Sequence, residues 1–240
     1  MPRVLVACEM SGRVRTAFAL RGWDAWSADI LPDETHLWNH VPHTGELGKH
    51  YQGDVRDIIG QDWDLVIAHP PCTDLSLAGA RYWKQKRADG RQHAAVEFFM
   101  QMFELPPQKA YVVVENPVGF MSQAFREPDQ IVEPWWFGDP IKKKTCLWYR
   151  DALTYWHGDS DPAPDRLPDL VADQPVEPTM RGVTGGGSWK TDKAAGKSGM
   201  NNWEDSQGRA RRHILRSLTP KGFARAAAEQ WGAYIEARRS

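Results

Sequence analysis

Three short runs of apolar residues stand in the first half of the chain, and polar side chains follow each of them. The runs occupy residues 4–7, 65–68 and 111–114 and contain Val, Leu, Ile, Ala and Tyr. Runs of this length without polar alternation are typical of parallel strands buried on both faces of a sheet. Such a sheet needs helices on both faces, so the sequence predicts an α/β architecture.

Segments with helical periodicity alternate with these runs. One begins after Ser11-Gly12, a second covers residues 91–105 and stops before two prolines, and a third follows Pro220 near the end of the chain. Strands that alternate with helices predict a Rossmann-like fold with a mostly parallel, doubly wound sheet.

Polar groups stand where the predicted strands end. Residues 24–28 form a plausible second strand that ends at Asp29, while Cys72 and Glu115 follow the runs 65–68 and 111–114. Ligands of doubly wound sheets bind beyond the carboxyl ends of the strands. Asp29, Cys72 and Glu115 are therefore expected to face one cleft.

Residue composition and periodicity divide the chain into three parts. Residues 1–150 carry the strand and helix pattern, and residues 209–240 carry the last helix. Between them, residues 151–208 are rich in Gly, Pro, Ser and Asp, which predicts a small, irregular, loop-rich insertion. We expect residues 1–150 to form the catalytic domain, and the last segment to return to it.

Composition excludes several classes of protein. No apolar run approaches the roughly 18 residues of a membrane span, and nothing at the N-terminus directs export, so we expect a cytoplasmic protein. The net charge of −1 argues against nucleic-acid binding by bulk electrostatics, so any such contact must be local. The three cysteines lack CxxC spacing and the histidines lack ligand spacing, which predicts neither a disulfide framework nor a metal site.

Cys72 has two interpretations. A cysteine after a core strand is usually a small buried apolar residue. Two prolines before it fix the backbone and present the side chain at the strand end, as a nucleophile requires. Glu115 has two interpretations as well: Glu115-Asn116-Pro117 is a plausible turn, yet the preceding strand would half-bury the carboxylate, which then needs a partner.

Short segments with polar residues follow one another along the chain in a distinctive order. They are Ala7 to Val14, Ser27-Ala28-Asp29, Gly53-Asp54-Val55, Pro70-Pro71-Cys72 and Glu115-Asn116-Pro117. This order resembles the DNA cytosine-5 methyltransferase family, which has a Phe-Ala-Gly-x-Gly-Gly turn after its first strand, then Pro-Cys-Gln, then Glu-Asn-Val. Short methyltransferase-like proteins of bacteriophages resemble the chain further, in His69 to Thr73, Phe137-Gly138, Lys144 to Trp148 and Gln230 to Gly232.

The resemblance implies a methyltransferase fold and S-adenosylmethionine as the cofactor. It implies that Cys72 adds to the base, that Glu115 contacts ring nitrogen 3 and the exocyclic amine, and that Asn116 holds the Cys72 loop. Asp29 would bind the cofactor ribose and Asp54 its adenine amine. The full predicted cofactor set is Cys8, Glu9, Met10, Ser11, Gly12, Asp29, Ile30, Asp54, Val55 and Pro71.

The chain also departs from the family pattern. Met10 and Arg13 stand at family glycine positions, and residues 142–144, all lysine, replace a Gln-x-Arg-x-Arg segment. Basic runs are more often solvated faces, and the alternative here is a local surface that binds the phosphates of duplex or single-stranded DNA. The residues predicted to bind DNA are Lys143, Lys144, Lys190, Lys197 and Arg211.

Three other functions remain open from the sequence. An amino-methyltransferase would have Asp, Asn or Ser before the two prolines and an aromatic residue after them, where this chain has His69 and Cys72. The short insertion also fits a free cytosine nucleotide or a single strand as the substrate. The departures at Met10 and Arg13 fit a DNA-binding homologue that has lost the cofactor.

Overall fold

The computed structural model describes residues 1–38, 47–154, 163–178, 180–181 and 218–239. A seven-stranded sheet forms its centre, and two-stranded pairs join β7 to β11 and β9 to β10. The strands are β1 (Arg3–Ala7), β2 (Asp24–Asp29), β3 (Lys49–Gln52), β4 (Leu65–Ala68), β5 (Tyr111–Pro117), β6 (Gln130–Val132), β7 (Ile141–Lys142), β8 (Thr145–Arg150), β9 (Ala152–Thr154), β10 (Ala163–Asp165) and β11 (Met180–Arg181).

Helices fill the connections between the strands. The α-helices are α1 (Arg13–Leu20), α2 (Thr35–Trp38), α3 (Trp83–Ala88), α4 (Arg91–Glu104), α5 (Met121–Ala124) and α6 (Lys221–Arg239). Short 3₁₀ helices lie at Val55–Asp57, Leu77–Tyr82 and Pro134–Phe137. In the described part of the chain, no helix is long and apolar enough to cross a membrane.

The central sheet has the strand order β3-β2-β1-β4-β5-β8-β6. The five strands β1 to β5 all run parallel to one another. Strand β8 runs antiparallel to both β5 and β6. The chain winds outward in both directions from β1 and β4, which places a switch point between these two strands. The predicted mostly parallel, doubly wound, Rossmann-like sheet is confirmed.

Each central strand contributes to two cores, because alternate side chains point to opposite faces. On β1, Val4 and Val6 pack in the core that α1 and α6 cover. Leu5 packs in the opposite core, with Phe99 of α4. Burying an apolar side chain of this size contributes about 1.5–3 kcal/mol to stability, so both helical layers stabilise the central sheet.

Strand β5 continues beyond the apolar run 111–114. Glu115 pairs with Leu147 of β8, and Asn116 pairs with Cys146. Because β8 supplies a partner strand, the backbone stays extended through Pro117 where the sequence also allowed a turn. The candidate acid therefore lies on a strand that has neighbours on both sides.

The loop-rich insertion is described only in part. Of residues 151–208, the ranges 151–154, 163–178 and 180–181 are described. Lys190, Lys197 and Arg211 lie outside the described residues, so their predicted contacts with DNA stay predictions.

Candidate functional site

The carboxyl ends of the parallel strands carry the candidate functional side chains. Cys8 follows β1, Asp29 ends β2, Asp54 lies shortly after β3, and His69 follows β4. Glu115 lies in the last part of β5. Because these strands are parallel, their ends meet at one edge of the sheet, around the switch point.

The turn between β1 and α1 is closed by the carboxylate of Glu9, which is buried. Its Oε1 accepts the backbone N–H of Val14 at 2.7 Å, and its Oε2 accepts that of Arg15 at 3.2 Å. Amides at a helix N-terminus have no partner within the helix, and a carboxylate there satisfies them. Glu9 therefore caps α1, and Met10 and Ser11 are buried in the same turn.

Two residues of this turn have left-handed backbone. The φ angle is 60° at Cys8 and 61° at Gly12. A Cβ at position 12 would collide with Thr35 Oγ1 and lie 2.7 Å from Arg15 Nη2. Glycine is therefore required at position 12 for both its conformation and its close approach to the 33–35 loop. Cys8 takes the same conformation at a cost of about 1–3 kcal/mol, a kind of strain that clusters at functional sites.

Two carboxylates, those of Asp29 and Asp54, lie near Cys8. Burial raises the pKa of the Cys8 thiol, and the carboxylates of Asp29 and Asp54 raise it further. Asp29 Oδ1 accepts the backbone N–H of Leu31 at 2.9 Å, and burial raises the pKa of this carboxyl above its ordinary value. Beside it, the side chain of Ile30 is 75% exposed. Two carboxylates and one exposed apolar side chain therefore lie around the ends of β1 and β2.

Asp54 is paired with a neighbour on its own loop. It caps the Val55–Asp57 turn through the backbone N–H of Arg56, and Arg56 Nη2 donates to Oδ2 at 2.5 Å. The hydrogen bonds from Arg56 lower the pKa of Asp54 to about 2. A ligand amine at Asp54 would have to share the carboxylate with this guanidinium. The next residue, Val55, is buried.

The loop after β4 presents Cys72. Pro70 is buried and Pro71 is exposed, and the carbonyl oxygen of Cys72 accepts the N–H groups of Leu75 at 3.1 Å and Ser76 at 2.9 Å. The thiol is half-buried. Burial raises the pKa of Cys72, as does the charge of Glu115. Lysine charges oppose both effects.

Side chains of helices α3 and α4 bind the backbone and side chains of this loop. Lys86 is 6% exposed, and its Nζ donates to the carbonyl of Thr73 at 2.5 Å and lies 3.1 Å from Asp74 Oδ1. Gln92 Nε2 donates to the carbonyl of Asp74 at 3.2 Å. A buried ammonium is costly unless it is paired, so these contacts fix the residues next to Cys72.

Glu115 has a histidine as its partner. His69 Nδ1 lies 3.1 Å from Glu115 Oε2, and the two side chains are 9% and 16% exposed. Burial alone would raise the pKa of Glu115, but the hydrogen bond from His69 and the charges of Lys143 and His69 outweigh it and lower the pKa. Glu115 is therefore a carboxylate at neutral pH.

Asn116 joins the two loops. Its Nδ2 donates to the carbonyl of Pro70 at 2.9 Å, and the side chain is buried. Its Oδ1 has no hydrogen-bond partner among the described residues. This contact couples the end of β5 to the segment that carries Cys72, which is the arrangement that a loop-holding asparagine requires.

The two described lysines of the predicted DNA-binding set lie in different surroundings. Lys144 is exposed, whereas Lys143 is half-buried and lines a pocket together with Glu115. The N-terminal end of α6 and the residues before it complete this pocket, through Leu218, Thr219, Pro220 and Phe223. Lys143 thus belongs to the cleft. No cluster of possible metal ligands occurs among the described residues.

Sequence reasoning missed three features of this site: the His69 contact, the Lys86 anchor and the place of Lys143 in the pocket. For His69 part of the signal was present, because a half-buried Glu115 required a partner, but only the strand order shows that His69 stands at the end of the neighbouring strand. Lys86 had none, since one lysine among several basic residues gives no sign of burial.

Comparison with known proteins finds similarity among solved structures alone. No protein-family model and no curated protein matches the chain. A structure described as a putative DNA modification methyltransferase encoded within an E. coli prophage is 19% identical, with 62% of this chain and 46% of that chain covered and a TM-score of 0.40. The S. pombe Dnmt2 methyltransferase is 17% identical, with 62% and 48% covered and a TM-score of 0.39.

An RNA methyltransferase from Salinibacter ruber, in complex with S-adenosyl-L-homocysteine, is 16% identical over 62% of this chain and 80% of that chain, with a TM-score of 0.35. This chain spans about half the length of the prophage and S. pombe proteins. At these TM-scores the similarity by itself identifies no activity, and the geometry of the site has to carry the assignment.

Proposed function

We propose that this chain transfers a methyl group from S-adenosylmethionine to carbon 5 of cytosine in DNA, with Cys72 as the nucleophile. The observation that carries the proposal is a thiol and a carboxylate on the loop ends of adjacent strands, tied together by the Asn116 bond to Pro70. The charge of Glu115 acts on the thiol of Cys72, which places the two groups in one electrostatic field.

The residues supply the two groups that this reaction needs. Carbon 6 of cytosine is a poor electrophile, so the thiolate of Cys72 adds there while Glu115 contacts ring nitrogen 3 and the exocyclic amine. Addition makes carbon 5 nucleophilic toward the methyl group that bound S-adenosylmethionine would supply, with S-adenosylhomocysteine as the product that leaves. Loss of the carbon 5 proton to water and release of Cys72 then restore the aromatic base.

Cys72 must lose its proton before it adds to the base. Burial and Glu115 raise its pKa, so the free protein holds a thiol, and Lys143 is the described charge that most favours the thiolate. A base between Glu115 and Cys72 would contact the carboxylate and weaken its effect on the sulfur. Thiolate formation would therefore be coupled to substrate binding.

The ends of β1 and β2 are the proposed binding site for S-adenosylmethionine. Asp29 offers a carboxylate to the ribose hydroxyls, Asp54 offers one to the adenine amine, and exposed Ile30 offers an apolar surface to the adenine. When bound, this cofactor supplies an electrophilic methyl group. The remaining residues proposed to line the site are Cys8, Glu9, Met10, Ser11, Gly12, Val55 and Pro71.

DNA is the proposed substrate, with Lys143 and Lys144 as the described residues proposed to contact a backbone phosphate. Lys143 lines the pocket beside Glu115, and Lys144 is exposed next to it in the sequence, which supports such contacts near the target base. A cytosine in duplex DNA must first be flipped out of the stack. The small insertion at residues 151–208 predicts loose or very short sequence specificity.

The proposal is tested by covalent trapping. With S-adenosylmethionine and DNA that contains 5-fluorocytosine, we expect a denaturation-resistant complex, because fluorine replaces the proton that must leave. Cys72→Ala should abolish both the complex and all turnover. Cys146→Ala, which removes a buried thiol from β8, should keep both.

Three measurements separate the alternatives. Nucleoside analysis of DNA from expressing cells should show 5-methylcytosine, whereas N-methylated bases would indicate an amino-methyltransferase. Labelled cofactor given with duplex DNA, single strands or dCMP identifies the substrate, and label on dCMP alone would contradict the DNA proposal. Calorimetry without any binding of S-adenosylmethionine, or full activity of Cys72→Ala, would overturn the proposed enzyme.

A further inference from the structure

The pair formed by His69 and Glu115 has a feature that the proposed function does not use. His69 is anchored by its backbone, since its N–H donates to the carbonyl of Ala7 at 2.9 Å, and its ring Nδ1 lies 3.1 Å from Glu115 Oε2. Because a carboxylate only accepts hydrogen bonds, Nδ1 carries the hydrogen. The imidazole therefore points a proton at the candidate acid.

Glu115 by itself has no proton to give at neutral pH. Its buried carboxyl is held below its ordinary pKa by His69 and by Lys143, which approaches from the loop before β8. The other titratable groups that sense Glu115 are the thiols of Cys72 and Cys146, and each has a raised pKa. None of these described groups delivers a proton to Glu115 as directly as the hydrogen-bonded imidazole does.

The second ring nitrogen of His69 gives an independent sign. Nε2 is buried and has no hydrogen-bond partner among the described residues. Buried polar atoms are nearly always hydrogen-bonded, and exceptions call for a reason such as a catalytic role. A histidine that only filled space would not be expected to leave this nitrogen without a partner.

We propose that His69 is a positioning residue that holds Glu115 by a hydrogen bond from Nδ1 and passes it the proton that nitrogen 3 of cytosine takes up. The inference rests on the proposed function and assigns a role that the sequence motifs do not give. Without His69, Glu115 would stay ionised and would have no proton to give to the base.

The proton transfer balances with the addition of Cys72. As the Cys72 thiolate forms its bond to carbon 6, the electron pair of the 5,6 double bond moves into the ring and makes nitrogen 3 basic. Glu115 takes the Nδ1 proton from the His69 imidazolium and gives it to nitrogen 3. Afterwards His69 is neutral, Glu115 is again a carboxylate, and the base is protonated.

The test is the pH profile of covalent trapping in a His69→Asn variant. The asparagine amide can donate to Glu115 from near the position of Nδ1, but it cannot release a proton. We expect trapping of 5-fluorocytosine DNA about 100-fold slower than in the wild type near neutral pH, the size of a general acid–base contribution.

The shape of the profile separates proton supply from packing. In the wild type, the trapping rate should rise with thiolate formation and fall again at higher pH, where the pair of His69 and Glu115 no longer supplies the proton. In His69→Asn the falling limb should disappear. An unchanged rate, or a slower rate with an unchanged profile, would overturn the role of His69 in proton supply.

A second measurement keeps this inference apart from the proposed function. In the free protein, ¹³C-carboxyl NMR follows the titration of Glu115 without any substrate. In His69→Asn, the pKa of Glu115 should rise because the charge of His69 is lost while burial remains. Failure of the wild type to form an adduct would overturn the methylation proposal and the proton transfer with it, whereas an unchanged Glu115 titration would overturn the pair itself.

Discussion

At the scale of single residues, the three thiols of the chain differ in what surrounds them. Burial and two carboxylates raise the pKa of Cys8, and burial and Glu115 raise the pKa of Cys146 to about 12. Cys72 also has a raised pKa, but its burial and the charge of Glu115 are opposed by Lys143. Its ionisation therefore depends in part on Glu115, which a bound base would contact, and this suits a nucleophile activated on binding.

This balance predicts opposite effects of two substitutions on the reactivity of Cys72. Glu115→Gln removes a negative charge and should lower the pKa of Cys72, so alkylation at a fixed, mildly alkaline pH becomes several-fold faster. Lys143→Met removes a positive charge and should make alkylation several-fold slower. The rate is measured by iodoacetamide labelling and mass spectrometry of the Cys72 peptide over a range of pH.

Lys142→Met is the matched control, because Lys142 is exposed and does not contribute to the pKa of Cys72. It should leave the labelling rate unchanged. If both Glu115→Gln and Lys143→Met shifted the rate in the same direction, the electrostatic account of Cys72 would be wrong.

Single residues of the site were predictable where a local rule acts on them. Asp29 and Glu115 were predicted to share a cleft because parallel strands end at one edge. The need of Glu115 for a partner followed from the apolar run before it, but the identity of that partner did not. That His69 fills this role depends on which strands are neighbours, and strand order is a long-range property that no local pattern contains.

At the scale of elements, the Cys72 loop is held by α3 and α4 through Lys86. We expect Lys86→Met to lower the free energy of unfolding by about 2 kcal/mol, because the carbonyl of Thr73 loses a charged donor and Asp74 loses its ion pair. The methionine keeps most of the packing volume. Urea unfolding measures the loss, and trapping by 5-fluorocytosine DNA should slow as the loop loosens.

Lys84→Met on the same helix is the control for this change. Lys84 is exposed, so its replacement should alter stability by no more than about 0.5 kcal/mol. Equal stability of the two variants would mean that the buried ammonium does not anchor the loop.

The elements that could be predicted from the sequence are those whose apolar residues recur with one clear periodicity. Helix α4 begins at Arg91 and α6 follows Pro220, because their apolar faces and the neighbouring prolines define them locally. Strand β8 was not predicted as part of the sheet. Its residues pair antiparallel with β5, and pairing with a strand so distant along the chain is decided by tertiary packing.

At the scale of the whole molecule, α6 joins the last part of the chain to the first. Its residues Trp231 and Phe223 share one core with Val6 of β1 and Phe18 of α1. The return of the whole segment 209–240 to the catalytic domain stays a prediction. The residues just before α6 also line the pocket beside Glu115. Folding of the sheet and formation of the pocket are therefore expected to be one process.

Trp231→Ala tests whether α6 and the sheet unfold together. The indole is fully buried, its Nε1 donates to the carbonyl of Pro168 at 3.0 Å, and its ring packs edge-on against Tyr149 of β8. Its loss should lower the free energy of unfolding by about 3–5 kcal/mol, while Ala233→Ser on the exposed face of α6 should change it little. Far-ultraviolet and near-ultraviolet circular dichroism should report one shared transition that shifts to lower temperature. If α6 were instead a separate unit, the variant would show an early transition of the helix and an unshifted transition of the sheet, and the pocket could not depend on the last segment of the chain.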